Sequence, residues 1–250
     1  MVVMADQTFF LEIDGFCPIC ERECHFRAHT SWLRDHFVCD GCGSIPRERA
    51  LLAVIEMFYP EWRDLKIHEA SPSIRSTSEK LISECPQYSY SYYDKSMLLG
   101  TAHPDKKYRC ETIEKMTFAN ESFDLFITQD VFEHIFNPDA AIKEIARVLK
   151  PLGAAIMTVP LVRKTLPSVR RANLLQNGSI QHLKPAEYHG DPIDNDGALV
   201  TIDWGYDITS YVTLKSGLPS WVVYIDDVTR GIRAEFIEVV VVQKSVVPVI

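Results

Sequence analysis

The feature that most restricts how this chain can fold is the spacing of its cysteines. Four of the seven cysteines form two C-x-x-C pairs, Cys17 with Cys20 and Cys39 with Cys42, separated by 18 residues. Each C-x-x-C turn can place two sulfur atoms about 2.3 Å from one ion, and two turns complete a tetrahedron. Because four thiolates leave no open coordination position, we expect a structural Zn²⁺ in residues 1–46.

Two alternatives to this zinc site stay open. The four residues could be ordinary buried thiols, and Cys24 or His25 could replace one of the zinc ligands. An odd number of cysteines, four of them at metal-type spacing, fits a reducing compartment better than a disulfide framework. We therefore expect a cytoplasmic protein with an N-terminal zinc-ribbon module.

The charge balance bears on the class of partner. The 250-residue chain has a net charge of −8, and residues 1–46 carry seven acids against three arginines. A nucleic-acid binder needs a basic face for phosphate contacts. The sequence also lacks the run of about 20 apolar residues that a membrane span needs. We expect a small-molecule acceptor as partner, no nucleic acid and no membrane, and leave a homodimer open.

Residues 47–250 alternate between helical and strand patterns. An apolar stripe at helical spacing, Leu51, Val54, Ile55 and Phe58, follows Ser44 as a candidate cap. We expect one helix that begins at Ser44 and is stopped by Pro60, further helices at 76–85, 138–149 and 207–214, and strands at 65–70, 88–93, 123–129, 154–159, 221–226 and 234–243. Residues 160–205 show no regular pattern. The alternation predicts an α/β domain with a mainly parallel sheet covered on both faces and an antiparallel strand at one end.

Two sequence segments carry a resemblance to a known family. They read SFDLFITQDVFEHI at 122–135 and AAIKEIARVLKPLG at 140–153. This order of an FD-led strand, an acidic turn and a helix ending in R-V-L-K-P resembles the class I S-adenosylmethionine-dependent methyltransferases of the type 11 group, over residues 65–160. With its cysteine module the whole chain resembles a zinc-ribbon subgroup of these enzymes, whose members tend to act on small molecules or sugars.

The resemblance implies a fold and a set of cofactor contacts. It implies a Rossmann-like sheet of seven strands that binds S-adenosylmethionine at its open edge. Glu69 takes the position of the acid near the methionine end, and Asp94 that of the acid that binds both ribose hydroxyls. The other positions that match cofactor-binding residues are Ala70, Ser71, Ser73, Glu111, Thr112, Gln129 and Asp130, with Arg47 as a partner for the cofactor carboxylate.

One loop departs from the family pattern. The family usually has glycines after the first strand, in the form E/D-x-G-x-G, whereas residues 69–73 read Glu-Ala-Ser-Pro-Ser. Glycine allows close backbone approach and positive φ, while Pro72 fixes φ and lacks an amide donor. Leu152 also replaces the first glycine of the usual P-G-G. A relative that has lost the cofactor is therefore an alternative.

The acceptor side is expected in the segment after the fifth strand. Residues 181–207 are rich in histidines, aromatics and acids, which suit a polar or heteroaromatic acceptor. Histidine titrates near neutrality and can remove the acceptor proton. The candidates for this base are His134, His182 and His189, and those for substrate contact are Tyr188, Trp204 and Tyr206. We expect methylation of an oxygen or nitrogen of a small natural-product heterocycle or sugar; an RNA-modifying methyltransferase is a further alternative.

Overall fold

The N-terminal module is a small antiparallel sheet. The computed structural model describes residues 9–194 and 196–245. Three strands pair in the order β1-β2-β3, and a short helix α1 precedes β3; their bounds are Leu11–Cys17 for β1, Arg22–Ala28 for β2, Leu33–His36 for α1 and Val38–Cys39 for β3. Cys17 ends β1 and Cys39 ends β3, so each C-x-x-C turn follows the end of a strand.

The second region follows the alternation expected from the sequence. Its helices are α2 (Pro46–Phe58), α3 (Ser76–Glu84), α4 (Pro138–Val148) and α5 (Ile208–Ser216). Its central strands are β4 (Ile67–Ala70), β5 (Ser89–Tyr92), β6 (Arg109–Cys110), β7 (Phe123–Gln129) and β8 (Leu149–Thr158). Among the described residues, no helix combines the length and apolar character needed to cross a membrane.

Residues 160–205, for which no regular structure was expected, contain six short strands. These are β9 (Val169–Arg170), β10 (Ala172–Leu174), β11 (Ile180–His182), β12 (Tyr188–His189), β13 (Ala198–Leu199) and β14 (Ile202–Asp203). They pair antiparallel as β9 with β14, β10 with β11, and β12 with β13. Strands of two or three residues are too short to leave a period in the sequence, which is why the pattern missed them.

The central sheet has seven strands and is mainly parallel, as expected. With β15 (Ser220–Val223) and β16 (Val239–Gln243), its order is β15-β16-β8-β7-β4-β5-β6. Strands β4 to β8 run parallel, and β16 pairs antiparallel with both β8 and β15. The antiparallel strand is therefore β16, which lies one position inside the sheet and not at its edge. The chain forms the edge strand β15 first and then returns as β16 between β15 and β8.

Both faces of the sheet are buried under helices. In β8, Ala154 and Ile156 belong to the core cluster with α2, and Ala155 and Met157 to the cluster with α4 and α5. Successive side chains of a strand point to opposite faces, so one apolar strand feeds both cores. The sequence expectation of a doubly covered α/β sheet is confirmed.

The start of α2 differs from the expectation by one residue. Ile45, not Ser44, is the residue before the helix, and its N–H donates to the Glu48 carboxylate over 3.0 Å. Ser44 is fully buried, and its hydroxyl accepts a hydrogen bond from the Arg49 guanidinium over 2.9 Å. The serine that resembles a helix cap therefore serves the junction between the two regions.

Arg49 holds that junction together. Its guanidinium is fully buried and donates to the carbonyls of Phe37 and Gly231, each over 2.7 Å from Nη2. It also lies 4.7 Å from the centre of the Phe26 ring. Gly231 has a φ of +66°, and a Cβ there would lie 2.5 Å from Phe26. The module therefore packs on a surface built from α2 and a turn near the C-terminus.

Candidate functional site

The four paired cysteines meet at one point. Cys17 and Cys42 have sulfur atoms 3.7 Å apart, Cys20 and Cys39 have theirs 3.9 Å apart, and all four lie within 4.8 Å of one another. Tetrahedral Zn²⁺ with bonds of about 2.3 Å would separate its sulfurs by about 3.8 Å. The cluster thus has the dimensions of a zinc site. Cys24 is not one of the four.

A large cavity opens at the carboxyl ends of the parallel strands. Its volume is about 2080 Å³, well above the roughly 300–1,000 Å³ of a pocket for one small ligand. Most of the expected site residues line it, namely Arg47, Ala70, Ser71, Ser73, Asp94, Glu111, Thr112, Gln129, Asp130, His134, Tyr188 and His189. In open α/β sheets, ligands bind at this edge.

The loop after β4 makes its tight turn without glycine. Ser71 has a φ of +55°, in the left-handed region that glycine usually occupies, and Ile74 and Ser76 also have positive φ. The Ser71 N–H donates to the Ser91 carbonyl of β5 over 2.8 Å. The loop therefore takes a positive φ that glycine would adopt freely, at the cost of strain in L-residues.

Glu69 lies behind the cavity wall. It is fully buried, and its carboxylate accepts hydrogen bonds from Ser78 over 3.0 Å, Tyr88 over 2.7 Å and Gln129 over 2.7 Å. Burial raises its pKa, although these three donors favour the charged form. Gln129 lines the cavity, so Glu69 acts on the site through the orientation of that amide.

Two further acids stand at the ends of the neighbouring strands. Asp94 follows β5, lines the cavity and accepts hydrogen bonds on Oδ1 from the backbone and hydroxyl of Ser96; these bonds lower its pKa. Glu111 follows β6, but its carboxylate is held by Arg109 over 2.6 Å and by the Thr117 backbone over 2.9 Å. Asp94 is therefore the acid better placed to receive a ligand.

The N-terminal module reaches into the cavity through Arg34. This arginine, with 8% of its surface exposed, donates to the Asp130 carboxylate over 2.8 Å and to the Phe236 carbonyl over 3.0 Å. Arg47 contacts the same carboxylate over 3.1 Å. Burial by itself would raise the pKa of Asp130, but the two arginines hold it below its usual value. The sequence analysis missed Arg34, since nothing local marks its distant partner.

Two of the three candidate bases stand together beside an unassigned acid. The rings of His134 and His189 are edge to face, with centres 5.0 Å apart. Glu133 is buried, and its Oε1 lies 3.7 Å from His134 Nε2 and 3.7 Å from His189 Nδ1. The Glu133 carboxylate raises the pKa of His189. The sequence analysis quoted Glu133 within a motif but gave it no role.

Three other candidate residues lie away from the cavity. His182 is exposed on β11 and is not among the lining residues. Trp204, 3% exposed, donates to the Phe132 carbonyl over 3.2 Å and packs against that ring and Tyr211. Tyr206 donates to Glu238 over 3.0 Å. The structure thus places Trp204 in the core, where its indole N–H has a backbone partner, and of the three candidates for substrate contact only Tyr188 lines the cavity.

Comparison with known proteins agrees with this geometry. A family model described as a methyltransferase domain matches residues 87–157. A curated ubiquinone biosynthesis O-methyltransferase from Parvibaculum lavamentivorans is 37% identical over 59 residues, which span 24% of this chain and 22% of that protein. The crystal structure of an S-adenosylmethionine-dependent methyltransferase from Mesorhizobium loti superposes with a TM-score of 0.50 at 14% identity, covering 78% of this chain and 98% of that one.

The family match and the fold converge on one class. The matched residues run from just before β5 into β8 and so include β5, β6 and β7, three strands whose ends border the cavity. The superposition extends the likeness to the Rossmann-like architecture. The chain therefore has a Rossmann-like α/β fold, and its segment 87–157 is similar to the methyltransferase domain.

Proposed function

We propose that the protein transfers a methyl group from S-adenosylmethionine to an oxygen or nitrogen of a small-molecule acceptor. The observation that carries this proposal is the cavity at the carboxyl ends of β4, β5 and β7, where Ser71, Asp94 and Gln129 stand together on its wall. These positions belong to three strands of the sheet and are far apart in sequence. Their meeting at one edge is what a cofactor with a methionine part and a ribose part requires.

The residues present fit that cofactor. The cavity is about 2080 Å³ and has room for a second ligand beside it. The Asp94 carboxylate can accept both ribose hydroxyls, and the left-handed Ser71 backbone supplies a tight turn beneath the cofactor. When bound, S-adenosylmethionine supplies an activated methyl group on a sulfonium, so the protein's own residues have to orient the acceptor and take its proton.

The lining of the cavity favours a small acceptor over a nucleic acid. Twelve acidic side chains line it against five arginines and lysines. Such a balance attracts the cationic sulfonium and repels phosphate. The acceptor lies on the side of Tyr188 and the β12–β13 hairpin, where His134 and His189 are the candidates for the base. His182 is the less favoured candidate because it does not line the cavity.

The same proposal assigns a structural Zn²⁺ to the N-terminal module. Four thiolates would complete the coordination shell and exclude substrate from the ion. The module also contributes Trp32, Arg34 and Asp35 to the wall of the cavity. We therefore assign it the task of holding this wall in place rather than of chemistry.

Calorimetric titration with S-adenosylmethionine tests the proposed cofactor. We expect Asp94→Ala to weaken binding at least about tenfold, because a carboxylate that accepts two hydroxyls makes charged hydrogen bonds of about 1.5–3 kcal/mol each. The control is Asp105→Ala, an exposed acid outside the cavity, which should bind as the wild type does. Absence of binding to the wild type would refute the proposed function, and equal binding by both variants would refute the role of Asp94.

A further inference from the structure

We propose that Glu133, His134 and His189 form a binding site for a divalent cation next to the acceptor. The inference rests on the proposed function for its chemistry but not for its geometry. The three ligand atoms lie within 4.8 Å of one another, and two of the residues come from the turn after β7 while the third comes from β12. Two imidazoles and one carboxylate form a ligand set found in sites for first-row divalent metals with open positions.

The carboxylate is the strongest sign that something is bound there. Glu133 has 1% of its surface exposed, and within residues 9–194 and 196–245 neither carboxylate oxygen has a hydrogen-bond donor. A buried carboxylate normally accepts two or more hydrogen bonds or pairs with a cation. Among the described residues, the two imidazoles are the basic groups within ion-pair distance of this carboxylate, each at 3.7 Å. A cation between them would satisfy both oxygens.

The distances suit an ion. Metal bonds of about 2.1 Å to nitrogen and oxygen place tetrahedral ligands about 3.4 Å apart. Both separations from Glu133 Oε1 are 3.7 Å, so contraction by a few tenths of an ångström completes the contact. Three protein ligands leave further positions, and all three residues line the cavity. These open positions therefore face the space where an acceptor would bind.

A hydrogen bond fixes His134 in the tautomer that binds metal. His134 Nδ1 lies 3.0 Å from the Leu199 carbonyl, which accepts its proton and leaves Nε2 as the free lone pair beside Glu133. His189 presents Nδ1 to Glu133, and its Nε2 lies 3.6 Å from the Glu187 carboxylate. Thr201 N–H and hydroxyl both donate to the Glu133 backbone carbonyl, over 2.7 and 3.1 Å. Such outer contacts are typical of built metal sites.

A cation at this site would select an oxygen acceptor. A hydroxyl bound to a divalent ion loses its proton to water far more readily, because the ion stabilises the oxyanion. That oxygen then attacks the methyl carbon of the sulfonium; the O–C bond forms, the C–S bond breaks, and S-adenosylhomocysteine leaves. The two histidines then act as ligands, and the task given above to a histidine base passes to the ion.

Manganese binding to the full, zinc-loaded chain tests the site without relying on turnover. Mn²⁺ prefers oxygen and nitrogen donors, so the thiolate cluster does not compete for it. We expect one Mn²⁺ per chain by electron paramagnetic resonance, with affinity reduced at least tenfold in Glu133→Gln and His189→Ala. The matched control is His182→Ala, an exposed histidine outside the cavity, which should bind Mn²⁺ as the wild type does.

The same protein is also equilibrated with Zn²⁺ and its total zinc counted. A second zinc per chain that is lost in Glu133→Gln supports the site even if Mn²⁺ binds weakly. If neither ion binds in a manner sensitive to these variants, the cluster is an imidazolium–carboxylate pair and the inference is overturned. Thermal unfolding checks that each variant folds. Calorimetry with S-adenosylmethionine is independent of these measurements, so failure of the cation site and failure of the proposed cofactor are seen separately.

Discussion

Two clusters of potential metal ligands, the four cysteines and the group of Glu133, His134 and His189, differ in chemistry and in position. The cysteine cluster has four soft ligands of one kind, within a small module, with no position left for substrate. The cluster of Glu133, His134 and His189 has three mixed ligands on the wall of a cavity. In the first cluster the protein would supply all four ligands of the ion, whereas in the second a ligand from solution would have to fill the remaining coordination positions.

This difference predicts that the first cluster contributes to the stability of the fold and the second to the binding of ligands. A closed site would link the two C-x-x-C turns of the small N-terminal module, so its loss should unfold that module. An open site keeps a buried carboxylate without hydrogen bonds, which does not stabilise the fold. We therefore expect substitutions at the cysteines to act on folding and substitutions at the histidine cluster to act on binding.

The largest effect is expected at the cysteine cluster. Cys17→Ser should lose the zinc and lower the free energy of unfolding by at least about 3 kcal/mol, a fraction of the roughly 10–16 kcal/mol that structural zinc supplies to isolated zinc fingers. Metal analysis and denaturant unfolding measure both. Cys24→Ser is the control, because Cys24 is not among the four clustered sulfurs. A metal-free Cys17→Ser protein with wild-type stability would remove the distinction between the clusters.

The next effect is expected at Arg34, which connects the N-terminal module to Asp130 at the cavity. Arg34→Met should lower the free energy of unfolding by about 1.5–3 kcal/mol, because it removes a charged hydrogen bond to Asp130 that is largely shielded from water. The control is Arg27→Met, whose pair with Glu12 is exposed and should contribute less than about 1 kcal/mol. Equal effects of the two variants in denaturant unfolding would show that the bond between Arg34 and Asp130 contributes no more to stability than an exposed ion pair.

A third histidine shows what a fully partnered imidazole does. His68 is buried, with Ser89 and Ser91 hydroxyls 2.9 and 3.0 Å from its two nitrogens, and burial lowers its pKa to about 3. In the unfolded chain the His68 imidazole has a pKa of about 6.5, so between pH 6.5 and 3 it binds a proton there but not in the folded protein. The free energy of unfolding therefore falls as the pH drops from 6.5 toward 3. Between pH 7.5 and 5.5 we expect a loss of about 1.4 kcal/mol from this residue.

Denaturant unfolding of the wild type and of His68→Gln at the two pH values isolates this contribution. The variant has no imidazole at this position, so its stability should fall by about 1.4 kcal/mol less than that of the wild type over the same interval. Parallel pH dependence of the two proteins would mean that His68 has the same pKa in the folded and the unfolded chain.

The smallest effect is expected at the open cluster. Glu133→Gln should change the free energy of unfolding of the protein without added Mn²⁺ by less than about 1 kcal/mol, because the amide keeps the shape of the side chain and removes a charge without hydrogen-bond partners. Denaturant unfolding in parallel with Cys17→Ser gives the direct comparison. A loss as large as that of Cys17→Ser would make Glu133 a structural residue.

Much of the fold could be predicted because its signals are local. The seven-residue strand β7 matches its expected bounds, and α4 matches to within a residue, because apolar periodicity and the Asn137-Pro138 start are written in adjacent residues. The place of β16 inside the sheet could not be read in this way. It depends on which neighbour a returning strand pairs with, which is a long-range property.

The residues of the candidate site also divide into those that local sequence signals predict and those that depend on long-range contacts. Residues at strand ends, such as Asp94 and Gln129, could be placed at one edge because parallel strands end together. The arrival of Arg34 at Asp130, 96 residues away, could not. Trp204 and Tyr188 carry similar aromatic signals in one irregular segment, yet one packs in the core and the other lines the cavity. Only the packing around each ring decides between these outcomes.

The buried Arg49 has a consequence for how the protein is made. Its guanidinium bonds to Gly231, 182 residues further along the chain. During synthesis the cysteine module leaves the ribosome before residues 47–250, yet the surface that it packs against is finished only when Gly231 has emerged. The module is therefore translated long before the surface on which it docks is complete. Until then the partly made chain exposes the apolar face of α2, and nascent chains of this protein should be clients for chaperones that bind early.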